Sequence, residues 1–274
     1  MMRWRLDLAY DGTDFRGWAT QPGHRTVQEV LEFHITRVLR LSVPARLVVA
    51  GRTDASVHAR GQVCHVDVPF TSGDGNPTAA ELHRLLGRVL PRDVVVTSVR
   101  EAPEGFDARF SAIWRRYCYR VIDSEHIPDP LLRRHIVALR HSVDVDVLNA
   151  AAPSLMGLRD FAAFCKPREG ATTIRDLSEL SATQRSDGVI EIHLLADAFC
   201  RSMVRSVVGA LIAVGGGRRD RDWLDSVAAH PQRHHQILVM PGHGLTLEEV
   251  GYPTDDGLAA RAALARSKRS LEDS

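Results

Sequence analysis

What most constrains this chain is one order of apolar patterns that occurs twice: strand, helix, strand, strand, helix, strand. In the first pass Trp4, Leu6 and Leu8 alternate with Arg5 and Asp7, the period of a half-buried strand, up to the turn pair Asp11-Gly12. Thr26 and Glu29 form a capping box ahead of Val27, Leu31, Ile35 and Val38, which share one helical face. Leu47-Val48-Val49-Ala50 reads as a short buried strand, and Cys64, Val66 and Val68 alternate with His65 and Asp67 in another. Pro77 opens a helix carrying Leu82, Leu85, Leu86 and Val89, and Val94–Val99 closes the series. That order is the split ferredoxin-like unit.

The second pass uses Ile113, Tyr117, Tyr119 and Val121 as a strand whose other face bears arginines. A helix follows over Val145–Leu155, then strands over Thr173–Ser181 and Val189–Ala196, a helix over Met203–Val214, and a strand over Leu245–Val250. Gly215–Arg221 and the stretch after Pro253 read as loops, with a short helix at Ala259–Leu264. The expected class is therefore α+β. Two ferredoxin-like halves, 1–105 and 106–253, share an extended antiparallel sheet with helices on one face and a central cleft, and a tail covers 254–274.

Composition narrows the function. A net charge of +1 with 44% hydrophobic residues excludes a disordered chain. The longest apolar stretch, near Val207–Val214, is far short of the ~20 residues that span a bilayer, so no membrane association is expected. The N-terminus has no secretory pattern. Cys64, Cys118, Cys165 and Cys200 lack the short spacing of zinc or redox motifs, and the expectation is four buried free thiols in a cytoplasmic protein. Thirteen histidines, His234-His235 among them, show no ligand spacing, so no metal is expected.

The arginines carry more information than the net charge. All but two of the 35 basic residues are arginine, the exceptions being Lys166 and Lys268. Arg115, Arg116 and Arg120, with Arg109 just ahead of them, lie in a stretch with no acid between Phe110 and Val121, and Arg201, Arg205, Arg218 and Arg219 precede Asp220. Guanidinium groups pair bidentately with phosphate and stack on bases, so such zones point to nucleic acid, although codon bias also enriches arginine. On a strand Arg115 shares a face with Tyr117, whereas Arg116 and Arg120 share the other, which places Arg115 toward a site that includes Tyr117.

The sharpest stretch is Gly51-Arg52-Thr53-Asp54-Ala55-Ser56-Val57-His58-Ala59-Arg60-Gly61-Gln62. It links two strands and sets one carboxylate among two guanidinium groups; taken alone, a surface Asx-turn is the favoured reading of such a loop aspartate. The stretch resembles the signature loop of the tRNA pseudouridine synthase TruA family. Further segments are similar to that family in the same order: Tyr10-Asp11-Gly12-Thr13 with Phe15 and Gly17-Trp18; Arg25-Thr26-Val27-Gln28; Phe106 and Ala108-Arg109-Phe110-Ser111-Ala112 with Arg116-Tyr117; Asp160-Phe161, Phe164, Thr173 and Arg175; Ala198-Phe199 and Met203-Val204-Arg205 with Val208-Gly209; and His243-Gly244-Leu245 with Tyr252-Pro253. Ala19 stands where the family usually has glutamine, and Met240-Pro241 replaces a common Ala-Pro.

The resemblance implies an isomerase that converts uridine to pseudouridine at positions 38, 39 and 40 of the tRNA anticodon stem-loop. It implies Asp54 as the catalytic carboxylate, Arg205 as its partner, Tyr117 stacked on the target base, and Arg52 assisting base flipping, with Leu245 in the substrate site. Asp54 has the plainer alternative of a retained but inactive site, Arg205 that of a snorkelling surface arginine, Tyr117 that of a core residue like Tyr119, and Arg52 that of a phosphate contact. No cofactor is implied, and a homodimer is. A non-catalytic RNA-binding module explains the arginines and fold equally well but needs neither Asp54 nor Tyr117, and a glycosidase-type hydrolase lacks a second acid in the matching motifs.

Overall fold

The computed structural model describes residues 1–69, 77–168 and 170–266; residues 267–274 of the expected tail lie outside them. The fold is mixed α+β. The described residues divide into two compact units, Met1–Ile113 joined by residues 247–266, and Trp114–Thr246. The sequence pattern divides the halves at 105/106 and runs the second to 253; by contacts, the closing stretch from Leu247 returns to the first unit.

In the first unit, β1 (Met2–Tyr10), α1 (Val27–Val38), β2 (Leu47–Val49), β3 (His58–Val68), α2 (Ala79–Val89) and β4 (Val94–Glu101) occur in the expected order. β1 pairs antiparallel with β3 and β4, and β2 with β3, so the strands lie β4-β1-β3-β2, the split β-α-β-β-α-β arrangement. Trp4, Leu6 and Leu8 of β1 are fully buried, as are Val27, Leu31 and Ile35 of α1. α1 opens where Thr26 Oγ1 accepts from Glu29 N at 3.4 Å. α2 opens on a reciprocal box, Thr78 Oγ1 accepting from Glu81 N and Glu81 Oε2 from Thr78 N.

His65 of β3 sits under this sheet's Phe106 cover, its Nδ1 accepting from Ala108 N at 3.0 Å. Burial, then the Arg3 charge, push the imidazole down to about 4, with Asp107 and Asp67 opposing. The folded protein therefore holds His65 neutral, while the unfolded chain takes up a proton below about 6.5. Stability present above that pH is lost as pH falls toward 4, on the order of 2 kcal/mol. Urea midpoints measured between pH 7 and 4 should show that decline, and His65→Gln should flatten it.

In the second unit, β5 (Trp114–Ile122), β6 (Val137–Ala138), α3 (Val145–Ala151), β7 (Gly157–Asp160), β8 (Ile174–Gln184), β9 (Val189–Ala196), α4 (Met203–Gly215) and α5 (Arg221–Ala228) follow. Its sheet runs β5-β9-β8-β7 antiparallel, with β6 parallel to β5. The expected helix over Val145–Leu155 breaks after Ala151, because Pro153 brings no N–H and the chain tightens into a 3-10 turn over Ala152–Leu155. α5, β6 and β7 are absent from the sequence pattern; α5 starts at Asp220, whose Oδ1 accepts from Trp223 N at 2.8 Å. β10 (Leu245–Gly251) carries the chain back to the first unit, and α6 (Leu258–Leu264) follows it.

One expectation is overturned. Cys165 and Cys200 form a disulfide, so only Cys64 and Cys118 remain as thiols. Thirty-five residues separate the two, and the pairing is tertiary. Lys166 N donates to Arg201 O at 2.9 Å, which lays the segments side by side with Cα atoms 5.8 Å apart, inside the range a disulfide spans. Among the described residues, no helix is long and apolar enough to cross a membrane.

Candidate active site

The Asp54 loop joins β2 to β3 and is clamped from two sides. Trp18 N donates to Thr53 O at 3.0 Å, and Ser56 N donates to Phe15 O at 3.2 Å. Gly12 N donates to His58 Nδ1 at 2.9 Å. A side chain at Gly12 would fall on the Val57 carbonyl, and one at Gly17 would press on the Thr53 carbonyl and the Asp54–Ala55 backbone. The segment Tyr10–Trp18 is thus the mould in which the Asp54 loop sets. Asp54 is half-buried there, Thr53 buried and Arg52 exposed.

Behind the loop is a small polar network. Tyr10 Oη and Thr53 Oγ1 share a hydrogen bond at 2.8 Å, and Tyr10 Oη accepts from Gln62 Nε2 at 3.2 Å; the same amide also donates to Gly51 O at 2.8 Å. Burial pushes the Tyr10 phenol up to about 12, so it remains a neutral hydroxyl across the physiological range. Tyr10→Phe leaves two buried groups each one partner short. It should lower stability by about 1–2 kcal/mol in urea denaturation and loosen the loop, seen as faster amide exchange at Thr53–Ser56.

Tyr117, Arg205 and Leu245 belong to the second unit. Tyr117 on β5 is 7% exposed, with Phe199 packed against it edge-on, centroids 5.1 Å apart. Tyr119, two residues on, is wholly buried, as expected of the core member of the pair. Its hydroxyl donates to Pro241 O at 2.8 Å, and burial pushes its phenol up. Arg205 on α4 donates from Nη1 to Met240 O at 3.2 Å, while Met240 N donates to Arg205 O at 3.2 Å. The Met240–Pro241 backbone therefore ties α4 to β5. Because both links are backbone groups, methionine at 240 leaves them intact. Leu245, buried, opens β10 after the turn Gly242–Gly244.

The expected arginine arrangement needs correction. Arg115 does share a strand face with Tyr117, but it is 8% exposed and spends its guanidinium on Asp197 O at 2.7 Å. Arg120 is likewise buried, bonded to Glu191 Oε1 at 2.8 Å and Thr246 Oγ1 at 3.2 Å. Both guanidinium groups are thus largely desolvated and bonded to protein partners. Arg109 and Arg201 are exposed.

Sequence reasoning gave no role to Thr53, Gln62, His58, Phe199 or Met240. Thr53, His58 and Gln62 stand as polar residues inside the sharpest motif; no sequence signal marks the backbone contacts of Met240.

A family model described as tRNA pseudouridine synthase matches residues 8–111 and 151–253. A tRNA pseudouridine synthase A of Cutibacterium acnes is 62% identical over 275 residues, spanning 100% of this chain and 97% of that protein. One of Streptomyces avermitilis is 54% identical over 275 residues, spanning 98% and 95%. A solved H/ACA RNP bound to a substrate RNA containing 2'-deoxyuridine gives a TM-score of 0.34 at 11% identity, over 76% of this chain and 44% of that one, a likeness too slight to carry an argument.

Proposed function

The chain belongs to the tRNA pseudouridine synthase family, and from that premise we propose that it isomerises uridine at positions 38, 39 and 40 of the tRNA anticodon stem-loop, with Asp54 as the essential carboxylate. The reaction breaks the N1–C1′ bond, turns the freed uracil and forms a C5–C1′ bond; C5 loses its hydrogen as a proton and N1 takes one up, so product and substrate are isomers. Nothing is oxidised and no water is consumed, so a single carboxylate beside the sugar suffices, as nucleophile or as base.

The observation that carries this reading is the mould around Asp54. The opening motif and the Asp54 loop resemble the family's, and here they are the two halves of one clamp, which fixes a half-buried carboxylate at the end of β2. The other roles rest on residue-by-residue likeness. Arg205 pairs with the carboxylate, Tyr117 stacks on the target base and Leu245 lines its pocket. Arg52, exposed two residues before Asp54, fills the gap that a flipped uridine leaves in a stem. No cofactor enters this scheme. A homodimer acting on tRNA in the cytoplasm completes the proposal, on family likeness.

Mapping pseudouridine in tRNA from cells with and without this protein tests the substrate. Loss at positions 38–40, restored by the intact gene and not by an Asp54→Asn form, is expected; unchanged positions would sink the assignment.

Binding of a polyanion by a chain of net charge +1 must rest on local, exposed arginines. Affinity should fall steeply with salt, with a log–log slope of several units, and Arg109→Ala and Arg201→Ala should each lower that slope by about one. Arg115→Ala should destabilise the fold and leave the slope alone. Filter-binding titrations across a salt series separate these outcomes.

A further inference from the structure

We propose that Cys118, Glu191 and His193 form a binding site for a thiophilic divalent cation of the zinc class, on the face of β5 and β9 that Tyr117 does not share. The register puts Cys118 directly opposite His193 and Arg120 opposite Glu191. Side chains alternate along a strand, so Cys118, Glu191 and His193 project from the same face, while Tyr117 and Tyr119 project from the other. One thiol, one imidazole nitrogen and one carboxylate oxygen lie there within 4.8 Å of one another. Two ligands at i and i+2 of one strand and a third across on its neighbour make a three-point platform, with a fourth position left for water.

The spacing suits a tetrahedral ion. His193 Nε2 stands 3.9 Å from Glu191 Oε2, too far for a hydrogen bond. Two ligand atoms at ~2.1 Å from a tetrahedral metal are separated by about 3.4 Å, so a small side-chain adjustment closes the set. Arg120 Nε holds the other carboxylate oxygen, Oε1, at 2.8 Å, which leaves Oε2 as the one facing the histidine. Cys118 is fully buried while Glu191 and His193 are half-buried, giving the ion a dry floor and a wet entrance.

Chemistry selects the ion. Arg120, and Arg185 with Nη1 3.8 Å from Glu191 Oε1, repel any cation. A hard ion such as magnesium or calcium finds a single carboxylate there and no cage of oxygens. A thiolate supplies to zinc or cobalt what that lone carboxylate cannot. On binding, the Cys118 S–H bond breaks and its proton passes to solvent, the sulfur pair forms the metal bond, and His193 binds through neutral Nε2. Occupancy therefore rises with pH. Seventy-three positions separate the cysteine from the glutamate, which is why no spacing motif in the sequence marks the set.

Cobalt titration of the chelator-treated, full-length protein tests the site. One equivalent of Co2+ should produce a thiolate-to-cobalt charge-transfer band that Zn2+ displaces. Cys118→Ser should abolish the band, and His193→Ala, at a half-exposed position, should weaken Zn2+ binding by at least about tenfold. A Cys165→Ser/Cys200→Ser double variant should keep the band, which separates this thiol from the disulfide pair. Pseudouridine formation should be unchanged in His193→Ala. Absence of the band in the parent protein, or its survival in Cys118→Ser, would overturn the proposal, whatever becomes of the Asp54 assignment.

Discussion

Replacing Asp54 by asparagine is expected to lower turnover by at least about a thousandfold, while tRNA affinity stays within a few-fold of the parent. A thousandfold is about 4 kcal/mol of lost transition-state stabilisation. Asparagine keeps the shape and the acceptor oxygen of the side chain. It removes the negative charge, and with it both nucleophilic and basic character. The loop itself should hold, because the bonds that clamp it run through Thr53, Ser56 and the backbone of Trp18 and Phe15. The reaction exchanges the C5 hydrogen for a glycosidic bond, so release of tritium from 5-tritiated uridine in tRNA reports turnover directly, and filter binding reports affinity. Comparable tritium release by Asp54→Asn would show that another group does the chemistry. Equal loss of binding and turnover would show that Asp54 positions the RNA instead.

The parts of this molecule that sequence reveals are those whose physics is local or periodic. β1 and β3 show themselves by alternation, and α1 and α2 by capping threonines ahead of a 3.6-residue stripe, so the first unit is legible nearly element by element. α4 is equally plain as an apolar run. What escaped is short or tertiary. β6 is two residues long, and β7 four, lengths at which no period can be counted. α5 follows an arginine-rich loop and shows only an Asp220 cap and two buried residues, Leu224 and Val227.

The site divides the same way. Asp54 and Arg52 stand in one contiguous stretch, and the opening motif was visible; that Gly12 and Gly17 exist to admit the Asp54 loop required the three-dimensional contact. Strand alternation placed Arg115 correctly beside Tyr117, yet alternation says nothing about whether a guanidinium meets solvent or a carbonyl, and Asp197 O decided it. The Cys165–Cys200 disulfide and the Cys118 cluster are likewise pairings across the fold. Spacing rules find ligands that share a loop or helix and miss those that share only a face.

Gly17→Ala is expected to cost about 2–5 kcal/mol and most of the activity. Two independent penalties meet there. Gly17 holds φ at +99°, a region L-residues occupy at a cost of roughly 1–2 kcal/mol. An added Cβ would also sit 2.8 Å from Thr53 O and 3.1 Å from the Asp54 carbonyl carbon, both backbone atoms that a rotamer change cannot move. Overpacking of that kind adds about 1–3 kcal/mol, and relief comes only by pushing the Asp54 loop outward. Gly23→Ala provides the comparison, since Gly23 has φ +73° with nothing within 4 Å of its added Cβ, and so bears the dihedral penalty alone. Urea denaturation should therefore separate the two variants by the overpacking cost. Turnover, measured at a temperature where both are folded, should drop in Gly17→Ala and hold in Gly23→Ala. If the two lose stability equally and both keep activity, the close approach of Gly17 to the loop has no energetic weight, and the opening segment does not set the carboxylate.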